Sequence, residues 1–497
     1  MTQFNNAIYN ATLQGALGAG VPQAQAEALA ADASVFGGPV PIDTSGPDVG
    51  PITNFSGFGG NYFRSLSPYR LESFAVFGEG YYDLTDDLQL TVGLRYTDDK
   101  KEQDNIPTAL FVPTMSPTAN LSPQPIPGND ADNAGDGSYN VAFEKTTGRI
   151  GLDWQPQTSF TDDTLIYGFY SRGYKGGGIN PPQPADTPDA FPQFFEPEFI
   201  NSYEIGTKNT LADGALQLNA TAFYYDYEGY QITQIVNRSS ANFNIDAKLK
   251  GLEFETIWNP ASTFVINANL GLLDSEIQDT YAIDVLDRTN GRADLITLKN
   301  ASSYSNCVVS AQGYATVLGA IQAGVLDEGA TAGLCVGAFA GQEATFGVPD
   351  VTYTDSEGNT RTVGGLTPFD GEAKQLDGNA IPGAPETTLS LGAEYTFEGM
   401  FNGDWNTRLR ADYYYQGDSY SRVWNTGGDE LDSWTNLNLA VVFYNDVNGL
   451  EFEIFGKNVT DEEVITGRYL TDDSSGLYSN IFLSEPRLYG VRVRKSW

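Results

Sequence analysis

Apolar and polar residues alternate along much of the chain. In DDLQLTVGLRYTDDKK (86–101), every second residue from Leu88 to Tyr96 is apolar, and the residues between them are polar or glycine. A period of two indicates an extended strand with one apolar and one polar face. The alternation recurs in GRIGLDW (148–154), ALQLNATAFYY (215–225), FVINANLGLL (264–273) and RLYGVRVRKSW (487–497). We predict an all-β chain of about thirteen strands, each near the length that crosses a bilayer when tilted.

The connections between these strands alternate in length. We expect short connections at 83–87, 155–163, 209–214, 259–263, 398–404 and 445–449. We expect long ones at 98–140, 175–198, 228–246, 274–385, 416–430 and 459–485. This alternation is typical of an antiparallel transmembrane β-barrel of the outer-membrane type, with tight turns on one side and long extracellular loops on the other. A soluble sandwich has no reason to sort its loops in this way.

Aromatic residues cluster near the predicted strand ends. Those next to short connections are Tyr82, Trp154, Trp258, Phe397, Trp405, Phe443 and Trp497, and those next to long connections are Tyr96, Tyr174, Tyr224 and Tyr415. Two belts of this kind mark the two interfaces between water and lipid. Ordinary strand propensity is the alternative, but the position at strand ends favours belts.

Charge indicates which face meets lipid. The chain has 27 Lys and Arg against 64 Asp and Glu, a formal net charge of −37. The polar set of the strands carries Arg95, Arg149, Arg408, Glu253 and Glu255, too many charges for the inside of a small soluble barrel. They fit a wide, wet lumen, and the apolar set then faces lipid.

Composition narrows the possible functions. The acidic excess disfavours nucleic acid as a partner. The absence of histidine removes Ser-His-Asp and Cys-His catalysis and His-ligated metal sites. DADNAGDG (130–137) resembles part of a calcium loop, but Ala134 stands where a ligand belongs. We expect no enzyme activity, catalytic residue, metal site or cofactor.

Two cysteines, Cys307 and Cys335, lie in the longest predicted connection, 274–385. Two thiols in one irregular region suit a disulfide in an oxidising compartment, and two unrelated buried thiols are the alternative. The same region contains apolar residues at helical spacing, namely Tyr314, Val317, Leu318, Ile321 and Val325. We expect a short helix stapled by a Cys307–Cys335 disulfide.

Several segments, in order along the chain, resemble the barrel of TonB-dependent outer-membrane receptors. They are YDLTDDLQLTVGLRYTDDKK (82–101), LIYGFYSRGYKGGGIN (165–180), NSYEIGTKNTLADGALQLNATAFYYDYEGYQ (201–231), KLKGLEFE (248–255), LDGNAIPGAPETTLSLGAEY (376–395), FGKNVTDEE (455–463) and EPRLYGVRVRKSW (485–497). Each is loose alone, but the ordered set is specific. The resemblance implies an importer in which a plug closes a barrel, external loops capture the ligand and a TonB box receives energy. Ferric siderophores would be typical ligands, with cobalamin, haem or glycans as others.

The sequence also departs from that family, because we recognise no signal peptide, TonB box or plug. We therefore expect a fragment that forms a partial barrel, with about 13 of roughly 22 strands. Residues 1–70 would be an irregular extracellular segment, and residues 71–497 would be the receptor barrel. Within it, 274–385 would be a long extracellular loop with short helices. The chain would cross the bacterial outer membrane many times, and its C-terminus would be periplasmic.

The leading interpretation is a receptor for energy-dependent uptake of a ligand such as a ferric siderophore. A passive outer-membrane porin is the alternative, and a soluble all-β surface protein or glycan hydrolase is a third class. Expected partners are the TonB energy-transducing complex (through a plug that this sequence lacks), outer-membrane lipid, the barrel assembly machinery and the ligand, with no nucleic acid.

Three residues are candidates for ligand binding. Tyr170, Arg172 and Tyr174 approach a predicted external loop. For the two tyrosines, a role in the aromatic girdle or in filling the lumen is the alternative. Trp497 resembles the terminal aromatic residue of outer-membrane barrels and is the expected assembly signal.

Overall fold

The computed structural model describes residues 13, 22–24, 26–27, 63–66, 68–104, 106–111, 123–125, 138–181, 192–236, 239–300, 305–400 and 403–496. Thirteen strands form one sheet. In chain order they are β1 (Tyr69–Thr85), β2 (Leu88–Asp104), β3 (Ser138–Trp154), β4 (Asp163–Lys175), β5 (Glu198–Leu211), β6 (Leu216–Val236), β7 (Ser239–Ala261), β8 (Phe264–Gln278), β9 (Thr387–Met400), β10 (Trp405–Gln416), β11 (Trp434–Asn445), β12 (Leu450–Lys457) and β13 (Leu488–Lys495). The prediction of an all-β chain with about thirteen strands is confirmed.

The order of strands in the sheet follows their order in the chain. From β3 onward, each strand pairs antiparallel with the next, as in the register that joins β4 to β5 and β5 to β6. Such a meander needs only a turn or a loop between neighbouring strands. Among the described residues, β1 and β13 each border a single strand, so the sheet does not close into a barrel.

The chain divides into two compact units. One comprises residues 1–72, 100–142 and 181–193, and the other comprises residues 73–99, 143–180 and 194–497. In the first unit, Phe63–Leu66, Ile106–Phe111 and Pro123–Pro125 form a small antiparallel sheet. The second unit holds most of the large sheet and all of the contacts considered below.

The two faces of the large sheet differ in chemistry. On the apolar face, β5 to β8 place Ile205, Ala222, Leu252 and Leu272 opposite one another. Ile205 is 61% exposed there, although it is a large hydrophobic residue. The other face, the charged face, carries cross-strand ion pairs such as Glu453–Arg492 (2.5 Å) and Glu394–Arg408 (3.1 Å). The alternation in the sequence therefore separates two environments.

The two ends of the sheet differ in the length of their connections. The turn end has connections 86–87, 155–162, 212–215, 262–263, 401–404 and 446–449, and the loop end has 105–137, 176–197, 237–238, 279–386, 417–433 and 458–487. The expected alternation is present except at 228–246. There β6 and β7 continue as one long hairpin, so the predicted long connection at 228–246 is wrong. Side-chain hydrogen bonds stabilise this hairpin. Asn244 Oδ1 accepts a hydrogen bond from the backbone amide of Glu196 (2.7 Å), and Asn244 Nδ2 donates one to the backbone carbonyl of Gly229 (2.7 Å).

Short strand pairs and helices organise the loop end. The pairs are Gly178–Ile179 with Phe194–Phe195, Tyr281–Ala282 with Lys374–Gln375, Leu295–Lys299 with Asn306–Ser310, Val351–Thr354 with Thr360–Val363, Ser419–Tyr420 with Glu430–Leu431, and Ile465–Leu470 with Ser479–Leu483. The helices are α1 (Ala311–Gln322), α2 (Glu343–Phe346) and 3-10 turns at Glu328–Gly333 and Asp473–Ser475. Helix α1 bears out the helical spacing noted in the sequence. Its N-cap, Ser310, accepts a hydrogen bond from the amide of Gly313 (2.7 Å).

Residues 288–373, which we call the stapled module, form a small core of their own. Val309, Val317, Leu334 and Leu366 are buried together beside Cys307, Phe339 and Val348. A second cluster joins Leu295, Val308 and Val351. Cys307 and Cys335 are joined in a disulfide with a Cα–Cα distance of 5.7 Å. This connection is therefore a folded element and not an open loop. No helix in the described part of the chain combines the length and the apolar character needed to span a membrane.

Candidate ligand site at the loop end

An apolar cluster closes over the charged face of the sheet at its loop end. Its buried members are Ile245, Ala247, Ile277, Leu376, Ile381, Val423 and Trp424. Ala247 lies on the charged face because it stands six positions, an even number, before Glu253 in β7, whose ladder to β8 is regular there. The cluster brings together β7, β8 and two connections, 279–386 and 417–433. These loops therefore fold over the charged face at the end of the strands.

A cavity of about 370 Å³ adjoins this cluster. Its wall combines the loop-end part of β6 with the connections 279–386, 417–433 and 458–487. The lining includes three aromatic residues, Tyr230, Trp424 and Tyr469, and two arginines, Arg422 and Arg468. Concave sites with mostly apolar walls and a few placed polar groups are typical of small-ligand pockets.

Arg422 is fully engaged by the protein. Its guanidinium donates to Asp284 (2.7 Å) and to Asp429, and both carboxylates are buried. It also lies 4.9 Å from the ring centroid of Trp424. Burial alone would lower the pKa of Arg422, but the hydrogen bonds to Asp284 and Asp429 raise it. Arg422 thus joins the connections 279–386 and 417–433 and holds Trp424 in the cavity wall.

Arg468 differs from Arg422 in its partners. Its Nη1 donates to the carbonyl of Gly428. Its Nε is buried and, among the described residues, has no hydrogen-bond partner. No carboxylate within the described ranges forms an ion pair with Arg468. In a chain with such an acidic excess, a cavity arginine without a carboxylate partner is a group suited to an anionic ligand.

The expected site residues Tyr170, Arg172 and Tyr174 lie elsewhere. Tyr170 stands opposite Ile150 and Tyr203 in the ladders, which places it on the apolar face. Its ring is 5.0 Å from that of Tyr203, and Tyr203 is 6.2 Å from Tyr224, so the three rings form a belt near the loop end. This geometry favours the girdle alternative for Tyr170.

Arg172 and Tyr174 follow Tyr170 at the same alternation. The guanidinium of Arg172 donates to Glu228 (2.7 and 3.0 Å) and to Asn201 (2.7 Å). The hydroxyl of Tyr174 donates to Asp99 (3.0 Å). Protein groups already satisfy both side chains, and neither lines the loop-end cavity. Ligand binding by these three residues stays an untested expectation that the geometry does not favour.

The strand pattern of the sequence does not single out Arg468 or Trp424. Both lie in connections that the strand pattern could only describe as long, and the contacts that bring them together span distant parts of the chain. The one available signal was an arginine and a tryptophan close together in SRVWN (421–425). Trp497, the expected assembly signal, lies outside the described residues. The part of the chain that the structure describes contains no group of three or more Cys, Asp or Glu side chains placed to hold a metal ion.

Comparison with known proteins decides the family. Residues 3–459 match the family described as TonB dependent receptor-like, beta-barrel. The chain belongs to this family. The resemblance noted in the sequence is thereby confirmed. The match begins well before residue 70, so it includes the segment that the sequence suggested as an irregular loop. The family is one of receptors and transporters, and membership implies the bacterial outer membrane.

Solved structures share the fold at low sequence identity. The ferric yersiniabactin uptake receptor FyuA from Yersinia pestis is 14% identical, with a TM-score of 0.53 over 87% of this chain and 47% of that one. The copper transporter OprC is 11% identical, with a TM-score of 0.50 over 86% and 48%. The chain therefore spans about half the length of each structure. These two proteins differ in cargo, so the shared fold does not identify a ligand for this chain.

Proposed function

We propose that this chain forms the membrane wall and ligand-capturing loops of a receptor that imports a compact anionic ligand of the ferric siderophore type. The observation that carries the proposal is the loop-end cavity, whose wall combines aromatic side chains with Arg468, an arginine that lacks a carboxylate partner among the described residues. In this proposal the apolar face meets lipid and the charged face lines the lumen.

The cavity chemistry supports a ligand with aromatic or other flat groups and anionic oxygens. Tyr469 is 44% exposed, so its ring is available for stacking. Arg468 supplies a fixed positive charge that can donate to oxygen. A ferric complex with phenolate or carboxylate oxygens has both properties. The cavity volume of about 370 Å³ suits part of such a complex.

Energy coupling and assembly belong to the same proposal. The receptor would obtain energy from the TonB complex through a plug, and the barrel assembly machinery would insert the strands into outer-membrane lipid. Long connections lie at one end only, which supports an extracellular loop end and a periplasmic turn end. The last strand, β13, then runs towards the periplasm, and Trp497 follows it as the proposed assembly signal.

Arginine substitutions test the ligand site. The chain, in detergent micelles, is titrated with a ferric tris-catecholate complex and with ferric citrate, and quenching of tryptophan fluorescence reports binding. We expect Arg468→Gln to weaken binding of at least one complex by roughly tenfold, the worth of one charge-assisted hydrogen bond. Arg487→Gln is the matched control, because Arg487 lies in the same connection but pairs with Asp461 (2.9 Å).

Two outcomes would overturn the proposal. If both variants bind like the unaltered chain, Arg468 does not recognise the ligand. If neither complex quenches fluorescence at millimolar concentration, the cavity does not take ligands of this type. Passive diffusion of small solutes through the full receptor in vesicles, at a rate independent of energy, would support the porin alternative.

A further inference from the structure

The segment 468–473 joins two regions of the loop end. Residues from Arg468 to Asp472 all line the cavity. The next residue, Asp473, contacts the stapled module instead. Adjacent residues of one connection thus contact the proposed ligand site and a separately cored element.

Asp473 makes three contacts with the stapled module. Its Oδ2 accepts hydrogen bonds from Arg288 Nη2 (2.7 Å) and from the backbone amide of Asn306 (2.7 Å). Its backbone carbonyl accepts a hydrogen bond from Lys299 Nζ (2.5 Å). These donors lie more than 160 residues before Asp473 in the chain. A single residue of connection 458–487 therefore holds three positions of the module.

The ion pair at this contact is buried. The side chain of Asp473 is 2% exposed and that of Arg288 is 11% exposed. Removing the carboxylate charge would leave the guanidinium buried without a counter-charge, which is the unfavourable way to break such a pair. The contact should therefore separate when the charge is lost.

The stapled module does not depend on Asp473 for its own core. Its apolar clusters, its disulfide and the N-cap of α1 all use residues between 288 and 373. Toward the sheet, the chain enters and leaves the module through one short strand pair, Tyr281–Ala282 with Lys374–Gln375. A module with its own core and a narrow neck can keep its fold and still change position.

We propose that Asp473 is a positioning residue that docks the stapled module onto the cavity-lining segment 468–473. Docking fixes the backbone of that segment, and through it the position of Arg468 and Tyr469. Ligand occupancy of the cavity and docking of the module are then coupled, because the ligand restrains 468–472 and the module restrains the next residue, Asp473, of the same short segment. The coupling to ligand binding rests on the proposed function, whereas the docking of the module by Asp473 does not.

Hydrogen–deuterium exchange of the full chain tests whether Asp473 docks the stapled module. In Asp473→Asn, we expect amides of 468–473 and of Asn306 to exchange roughly tenfold faster, whereas amides of α1 keep their protection within about threefold. Asp473→Glu retains the carboxylate and should lie closer to the unaltered chain. Asp461→Asn is the control, because its ion pair with Arg487 is half-exposed, and it should leave both regions unchanged.

The pattern of exchange decides between positioning and folding. If α1 loses protection together with 468–473 in Asp473→Asn, then Asp473 supports the module fold and the proposal is wrong. Equal exchange in the variant and the unaltered chain would also overturn it.

Titration with the ferric tris-catecholate complex then tests the coupling. We expect Asp473→Asn to weaken binding by roughly threefold to tenfold, through a smaller coupling than direct contact gives. If Asp473→Asn speeds exchange in 468–473 but leaves the affinity for the complex unchanged, the proposed coupling between docking and ligand binding is wrong. Absence of binding in every variant would refute the proposed function, while the exchange pattern would still decide whether Asp473 docks the module.

Discussion

The turn end and the loop end of the same sheet are stabilised in different ways. At the turn end, short connections join long ladders, and the side chains nearby are exposed aromatics such as Trp154 and Trp258. At the loop end, apolar clusters, a disulfide and buried ion pairs hold the connections together. The same chain thus uses a regular sheet for its wall and the packing of a globular protein for its loops.

The proposed membrane position of the wall accounts for the difference. In a wall that meets lipid, packing large side chains against one another adds little stability, and the hydrogen bonds between backbone groups matter most. At the loop end, the backbone is irregular and meets water. Order there requires a core and compensated buried charges, such as Asp284 and Asp429 around Arg422.

Removing the disulfide should have the largest effect on the stability difference between the two ends of the sheet. The cysteines are 28 residues apart. Closing a loop of that size lowers the entropy of the unfolded chain and thereby raises its free energy by roughly 3–4 kcal/mol at 25 °C. We expect the double variant Cys307→Ser with Cys335→Ser to lose exchange protection in the stapled module and to keep it in β9 to β12. A non-reduced digest of the unaltered chain should show the two linked peptides, and two unlinked thiols would contradict the pairing.

Truncating one leucine in each region should have the next largest effect. Leu366 is fully buried in the stapled module, whereas Leu439 is 44% exposed on the apolar face of the sheet. We expect Leu366→Ala to destabilise the module by roughly 2–4 kcal/mol, because it leaves a cavity in a packed core. Leu439→Ala should change stability by about 0.5 kcal/mol. Denaturant unfolding followed by exchange would measure both, and equal effects would show that the two regions pack alike.

Arg172 tests whether charge on the apolar face contributes to ligand binding. Its guanidinium is bound by Glu228 and Asn201, so we expect Arg172→Ala to change the affinity for a ferric tris-catecholate complex by less than about twofold. Arg468→Gln is the comparison. A larger loss in Arg172→Ala than in Arg468→Gln would restore the site that the sequence suggested.

Acid should affect the loop end slightly more than the wall. The hydrogen bond from Arg292 lowers the pKa of Asp294, and bonds from its own amide and from Thr367 lower the pKa of Glu343. A lowered pKa stabilises the folded state above the unfolded pKa, which is about 4. That stability is lost as pH falls through the folded pKa.

The effect of acid should be small because Asp294 is 63% exposed, and we expect less than about 1 kcal/mol. Exchange measured between pH 6 and pH 3, after correction for the intrinsic rate, would show it as earlier loss of protection in the module than in β9 to β12. Greater stability of the module at pH 3 would contradict the sign of the shift.

Much of the wall could be predicted from the sequence because a strand has a period of two. The alternation in 215–225 and 264–273 located β6 and β8, and the aromatic residues marked strand ends. The hairpin of β6 and β7 beyond residue 228 could not be predicted in this way. Its extension depends on amide side chains such as Asn244 that bind a different connection.

The candidate site was less predictable than the wall. Tyr170, Arg172 and Tyr174 stood at the expected end of β4, but only the ladder to Ile150 and Tyr203 showed which face they occupy. Arg468, Trp424 and Tyr230 share a cavity although they belong to three separate parts of the chain. No local pattern links them.

The sequence by itself determined the strands, the two chemical faces and the sorting of short and long connections, because each depends on neighbouring residues and on a fixed period. The tertiary structure decided which loop residues meet. Ion pairs such as Arg288–Asp473 join positions 185 residues apart, and their formation depends on loops folding over the charged face. Contacts of that range have no period along the chain, so the loop-end cavity and the contact of Asp473 with the stapled module form only in the folded structure.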